Sequence, residues 1–449
     1  MSAASPTANE LVSGVYATIG AKLYLNERNA DFHFMFESSD GQYERVPAHK
    51  LLLTTVSDVF ETMFNGSWLE MHEVEIVDAP IASFKEFLQF FYLGRVKLTM
   101  DNVAKVMYLA NKYNVTECLA LCTKFLRRTI TNDNVCLAYG LAILHEQSDL
   151  KRLCELMIAI HTKAVFSSEN FLECDKKTLG HILKLDSFSC SEADVFEACM
   201  AWVRNASEEE NLTKEIVKTH LGELFYAIYY PSISIEVFAN LDPSYGGLFT
   251  LDEYREIVQL IGNKNFQAKL FNGTRRQRFK GIVCDKALEI DCTRAIANKY
   301  SFVPYYIKNI ETTRFSTNEP LALTSFYCTK TMIYQNGTYE NLKEKLPSEV
   351  SVVYVSATGK EFVLHNSTTN LKLDDISRIS LAKPILIKPG LMYEIRFKQT
   401  PPNNCCTGIQ MKTEIQLEPD VTVQFHNDPI PENDGIARGL LRGLVLNRI

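Results

Sequence analysis

The stretch Asp31-Phe32-His33-Phe34-Met35-Phe36 sets a phenylalanine at every second position, the spacing of a strand that buries one face and wets the other. Asp40-Gly41 follows, a pair that favours the positive φ of a tight hairpin turn, so a second strand is expected beyond it. After Val46-Pro47-Ala48-His49-Lys50 the period lengthens, and Val59, Phe60, Met63 and Phe64 recur at helical spacing. A later helix is expected from Asp101 to Tyr113, with Val103, Val106, Met107 and Ala110 on one stripe. Residues 15–130 thus read as an α+β unit, preceded by a small, polar stretch, 1–14, expected to be disordered.

The pattern changes twice more. Residues 131–260 show amphipathic segments separated by polar breaks such as Phe166-Ser167-Ser168 and Ser187-Phe188-Ser189, which predicts an all-α array without strands. Ser191 and Asp194 have the spacing of a capping pair, opening a helix that turns Val195, Phe196, Cys199 and Trp202 inward. Residues 261–280 contain Lys264, Lys269, Arg275, Arg276, Arg278 and Lys280, with no acid from Lys264 onward. A solvated basic linker is the expectation, and a nuclear address is the sharper reading of the same run. From 281 to 449 the period becomes two. Val350 to Val355 precedes Thr358-Gly359 and then Glu361 to Leu364; Pro389-Gly390 separates Ile385-Leu386-Ile387 from Met392 to Phe397; Pro419-Asp420 separates Ile415 and Leu417 from Val421, Val423 and Phe425. This is the signature of an all-β antiparallel sandwich, and no repeat period supports a propeller or solenoid.

A chain of 449 residues is too long for one core. Its 46% hydrophobic and 22% charged residues are those of a folded globular protein, and a net charge of −7 offers no footprint for a polyphosphate, so no nucleic-acid partner is expected. The N-terminus lacks a cationic start and an apolar run, and no window approaches the roughly 18 apolar residues of a membrane span. The expectation is an intracellular, cytoplasmic protein with no membrane partner, the nucleus remaining open. The twelve cysteines form no CxxC pair and are expected as core thiols. Cys118 and Cys122 lack the further ligands of a metal site. Cys405-Cys406, beside Pro401-Pro402 in an expected loop, is a vicinal pair with no neighbour that would lower a thiol pKa. No nucleophile elbow, zinc-protease helix, phosphate loop or dinucleotide fingerprint is present, so neither enzyme activity nor a cofactor or metal is expected.

Ala30-Asp31-Phe32, Val46-Pro47-Ala48-His49-Lys50, Val59-Phe60-Glu61-Thr62-Met63-Phe64 and Phe91-Tyr92-Leu93-Gly94 resemble, in order and spacing, the landmarks of the BTB/POZ domain. Asn134 to Trp202, with Phe171-Leu172-Glu173 and Val195-Phe196-Glu197-Ala198, resembles the BACK helical domain. The layout as a whole is similar to that of the BTB-domain-containing cullin-3 adaptors that end in a PHR-like β-domain. Between Phe279 and Ile449 this rests on strand order and on the closing run Ile436 to Leu444.

The resemblance implies a homodimer with Val15, Ile19, Leu23 and Leu25 at the interface, although a helix packed on its own chain would use the same residues. It implies cullin-3 binding through Phe64, Trp68, Glu70, Tyr92 and Asp101, with Trp68-Leu69-Glu70 as the hydrophobic-x-glutamate element. The alternative for that element is a capping box between Ser67 and Glu70, with Trp68 covering its own core. Asp31, His49 and Lys50 are implied to be structural, a carboxylate and a cation meeting near the dimer pocket. The function so implied is a ubiquitin-ligase adaptor that takes protein substrates on its sandwich loops. The alternative is a non-degradative BTB scaffold or transcriptional co-regulator, which usually carries zinc fingers whose spacing is missing here.

Overall fold

The computed structural model describes residues 15–38, 41–66, 72–284, 289–294, 304–336, 338–341, 345–356, 358–372, 375–407, 411–426, 436–437 and 439–449. The expected disordered stretch 1–14 and the Trp68-Leu69-Glu70 element lie outside these residues. The chain divides into two compact units, residues 1–126 and 127–449.

In the first unit, Phe32–Glu37 pairs antiparallel with Tyr43–Ala48 in the register Phe32↔Ala48 to Glu37↔Tyr43, and Glu73–Glu75 adds in parallel on the other edge. Gly41, at φ 77°, takes the left-handed backbone that the hairpin turn requires. The alternation does what its period predicts. Phe32, Phe34 and Phe36 are buried and meet an aromatic layer from the helices, with Phe32–Phe64 and Phe34–Phe84 centroids 4.7 and 4.6 Å apart. Ser57 starts helix Asp58–Asn65 by accepting the Phe60 amide, while its hydroxyl donates to the Tyr113 carbonyl at 2.6 Å. The later helix runs Val103–Lys112, two residues short of its expected start at Asp101, and its stripe of Val103, Val106, Met107 and Ala110 is fully buried.

The second unit begins with a helical array that runs from Val135–Leu144 to Leu251–Gly262. The Ser191–Asp194 capping box opens helix Glu192–Ser207. Val195, Phe196, Cys199 and Trp202 point inward, and the indole N–H of Trp202 donates to the Cys174 carbonyl at 2.9 Å. Two expectations need correction. The polar break at Ser187-Phe188 is a short strand, and it pairs in parallel with Gln277–Arg278, so the basic segment, exposed as expected at Lys264, Lys269, Arg275 and Lys280, is not free of the array at its C-terminal end. The reason is Arg276. Its guanidinium and the Glu192 carboxylate are each 3% exposed and 2.9 Å apart. The guanidinium also donates to the Leu183 and Leu185 carbonyls and lies 3.9 and 4.3 Å from the Tyr229 and Phe188 rings.

The C-terminal part is a two-sheet sandwich. One sheet runs, edge to edge, Glu361–Lys372, Lys345–Val355, Met392–Gln399, Ile310–Thr317, Val421–His426 and Glu414–Glu418; the other runs Ser377–Ile387, Leu321–Cys328, Leu441–Arg448 and Glu289–Thr293. Their inner faces share one core, where Phe326 meets Phe397 edge to face at 6.0 Å. Thr358-Gly359 and Pro419-Asp420 close hairpins within a sheet. Pro389-Gly390 instead carries the chain from the four-stranded sheet to the six-stranded one, because Ile385 and Ile387 before it and Ile395 and Phe397 after it fill opposite sides of the core. Gly443 sits where a β-carbon would come 2.6 Å from the Cys292 carbonyl oxygen, which explains a glycine inside the closing strand.

Cys405 and Cys406 require a further correction. They belong to strand Cys405–Thr407, not a loop, and burial pushes both thiols up, away from the thiolate that redox exchange needs. All twelve cysteines are free thiols.

Arg276→Met would leave the Glu192 carboxylate buried without its counter-charge. Urea unfolding of the full chain should show the transition of the second unit destabilised by about 3–5 kcal/mol. Glu192→Gln in the same background should recover a large part of that loss; an additive double mutant would contradict the coupling.

Candidate protein-docking site

The residues singled out in the first unit separate into a buried anchor and an exposed face. The anchor forms where strand Tyr43–Ala48 turns into helix Lys50–Val56. His49, at the helix start, is buried, and its Nε2 lies 2.9 Å from the Arg28 carbonyl. A carbonyl only accepts, so Nε2 carries the proton and Nδ1 is left as an acceptor. The Tyr92 hydroxyl, 2.8 Å away, donates to Nδ1, while its oxygen accepts the His49 backbone N–H at 3.1 Å. Tyr92 is 6% exposed, and burial pushes its phenol above the ordinary tyrosine range. Asp31 is exposed, and its Oδ1 accepts the Lys50 backbone N–H at 2.8 Å. The expected buried carboxylate facing a lysine side chain is therefore corrected: Asp31 caps the helix through the main chain. The Lys50 ammonium lies 5.5 and 5.3 Å from the Phe32 and Phe64 ring centroids.

Of the expected cullin contacts, Phe64 and Tyr92 turn inward. Phe64 is buried against Phe32 and Phe60, and Tyr92 is spent on His49, so neither forms part of the exposed surface. Asp101 is exposed in the turn before Val103–Lys112. Trp68 and Glu70, outside the described residues, fall between helix Asp58–Asn65 and strand Glu73–Glu75.

The expected dimer residues lie on and just after helix Val15–Leu23. Ile19 is 48% exposed and Leu25 39%, while Leu23 is half-buried; the side chain of Val15 is outside the described residues. The inner side of this helix is pinned by Gly20, where a β-carbon would stand 1.9 Å from the Tyr92 carbonyl oxygen, and by the Tyr24 hydroxyl, which donates to the Lys85 carbonyl at 2.8 Å. Sequence reasoning missed Gly20 and the Tyr92–His49 link. A glycine inside an otherwise apolar helical run was the one available signal for the first; the second depends on residues 43 apart in the chain.

Among the described residues no group of three or more His, Cys, Asp or Glu is placed to hold a metal ion, and no helix is long and apolar enough to cross a membrane.

Comparison with known proteins places this geometry in a family context. Residues 21–130 match the BTB/POZ domain and residues 135–240 match BTB And C-terminal Kelch, the BACK domain. Human BTB/POZ domain-containing protein 3 is 31% identical over 250 residues, 54% of this chain and 48% of that protein. Mouse BTB/POZ domain-containing protein 6 is 32% identical over 240 residues, 53% of this chain and 44% of that protein. The chain spans about half the length of these relatives. A solved BTB domain of human Gigaxonin is 21% identical and covers 28% of this chain and 99% of that one, at a TM-score of 0.22. The chain carries a BTB/POZ domain followed by a BACK domain and a C-terminal antiparallel β-domain.

Tyr92→Phe removes the hydroxyl that serves both the His49 amide and its Nδ1. Two buried groups lose their partner, and chemical denaturation should report a loss of about 1–3 kcal/mol from the first unit. An unchanged midpoint would show that the link carries no stability.

Proposed function

We propose that this protein is a non-catalytic, substrate-recognition adaptor of a cullin-3 ubiquitin ligase that works as a homodimer in the cytoplasm. The observation that carries the reading is the BTB/POZ domain followed directly by a BACK domain, a pairing that generally binds cullin-3 and dimerises. In this reading Trp68 and Glu70 are the cullin contacts, the indole filling an apolar pocket while the carboxylate accepts charge-assisted bonds beside it. Asp101, exposed, is a further contact in this reading, while Phe64 and Tyr92 are buried and act through packing. The β-domain, read as PHR-like, takes the protein substrate.

Dimerisation is supported by the outward apolar side chains of Ile19 and Leu25, which a two-fold axis would set against their own copies. Ile19→Asp/Leu25→Asp should convert the dimer to a monomer in light scattering, with the melting temperature of the first unit little changed. A dimer that survives both charges would exclude this helix from the interface.

Trp68→Ala/Glu70→Ala should weaken cullin-3 binding by about 30-fold or more, since truncating a hot-spot residue costs about 2 kcal/mol or more, while leaving the dimer intact. Unchanged binding would remove these residues from the contact. If the wild-type chain binds no cullin-3 at all, the non-degradative scaffold takes its place.

A further inference from the structure

The second unit contains a cavity of about 1030 Å³ between the helical array and the sandwich, room for a drug-sized organic molecule. Ile160 on the helical side, Ile282 on the connecting segment, and Leu364 and Leu391 on the sandwich make its walls largely apolar. Phe362, Val363 and Leu364 form a run of three exposed apolar residues on the edge strand Glu361–Lys372, and Phe362 and Leu364 face this space. Such a run on a sheet edge is a liability unless something covers it.

The charged groups that line the cavity are Arg128 and Asp133 from the helical side, and Lys383 and Lys388 from the sandwich. Arg128 is committed, donating to Glu319 at 2.8 Å, and Lys383 is exposed. Lys388 is different. Burial pushes its ammonium down to about 8 against the attraction of Asp133. Among the described residues no acceptor lies within hydrogen-bond or ion-pair reach of that ammonium. His161 faces it, and burial together with the Lys388 charge holds the imidazole down at about 4, so the ring is a neutral N–H donor at ordinary pH.

We infer that this cavity binds an amphipathic carboxylate, whose apolar body fills the space between helices and sandwich while its anionic head accepts hydrogen bonds from the Lys388 ammonium and the His161 imidazole. The apolar walls and the single uncommitted inner cation select such a ligand. A phosphate dianion would call for several cationic donors or a guanidinium fork, and the one guanidinium in the wall is already held by Glu319. The ligand would raise Lys388 back toward its ordinary value, so affinity is highest below the ligand-free value of about 8 and declines as pH rises above it. The cavity lies wholly within residues 127–449, and its occupation stands or falls independently of cullin binding.

Isothermal titration of the full chain with dodecanoate, dodecanol and dodecyl phosphate tests the assignment. At about pH 7, dodecanoate should bind at least about tenfold more tightly than dodecanol and than dodecyl phosphate, a charge-assisted contact supplying the difference. Lys388→Gln should bring dodecanoate down to the dodecanol level. In the wild type, the advantage should shrink toward about pH 9.5, where the amine is mostly neutral. Ala164→Trp, which fills the cavity from the helical side, should weaken both ligands while a thermal melt confirms folding. No dodecanoate binding, equal affinity for dodecanoate and dodecanol, tighter binding of dodecyl phosphate, or an unchanged affinity in Lys388→Gln would each overturn the assignment.

Discussion

The ion pair between Arg276 and Glu192 is the contact on which the second unit is built. Taking a guanidinium and a carboxylate out of water is expensive, and their attraction offsets it only when the remaining donors and acceptors are also satisfied. Here they are: Glu192 takes the Tyr229 backbone N–H as well as the guanidinium, and Arg276 reaches two main-chain carbonyls besides. The pair sets the strand Gln277–Arg278 beside Ser187–Phe188, and so delivers the chain from the helical array to Phe279, Gly281 and Ile282, which wall the cavity.

The first unit uses the same economy of buried polar groups at smaller scale. His49 could not be buried at the start of a helix unless both ring nitrogens and the amide found partners, and Tyr92 and the Arg28 carbonyl supply all three. Tyr92 in turn receives Gly20 against its carbonyl, so the same short stretch of helix Ile81–Leu93 orders the polar anchor and seats the helix bearing Ile19 and Leu25. Against this background Lys388 stands out: a cation in a largely apolar wall, attracted by Asp133 but hydrogen-bonded to no acceptor among the described residues. The same rule that makes the Arg276 pair structural underlies the ligand inferred at the Lys388 ammonium.

Much of the architecture could be read in advance because its signals are local. Phenylalanine at every second position from Phe32, the stripe through Val103 and Ala110, the Ser191–Asp194 box and the turns at Gly41, Gly359 and Pro419 all act within a few residues of themselves. The family landmarks reach further, since they are conventions of spacing across the BTB and BACK domains. Within the basic run ending at Lys280, Arg276 alone misled, for the opposite reason: charge in a sequence is solvated by default, and only a carboxylate 84 residues away turned this one inward.

The sequence alone therefore settled where the long strands and helices form, which side of them is apolar, and that an α+β unit, a helical array and a β-domain follow one another; the short strands at Ser187–Phe188 and Cys405–Thr407 it did not show. The tertiary structure decided which sheet each strand joins, that Phe64 and Tyr92 lie beneath the surface while Asp101 lies on it, and that a cavity opens beside Lys388. The physical reason is range: backbone propensity and amphipathic period are set by neighbours along the chain, whereas burial, pairing of distant charges and empty space exist only once remote segments are packed together.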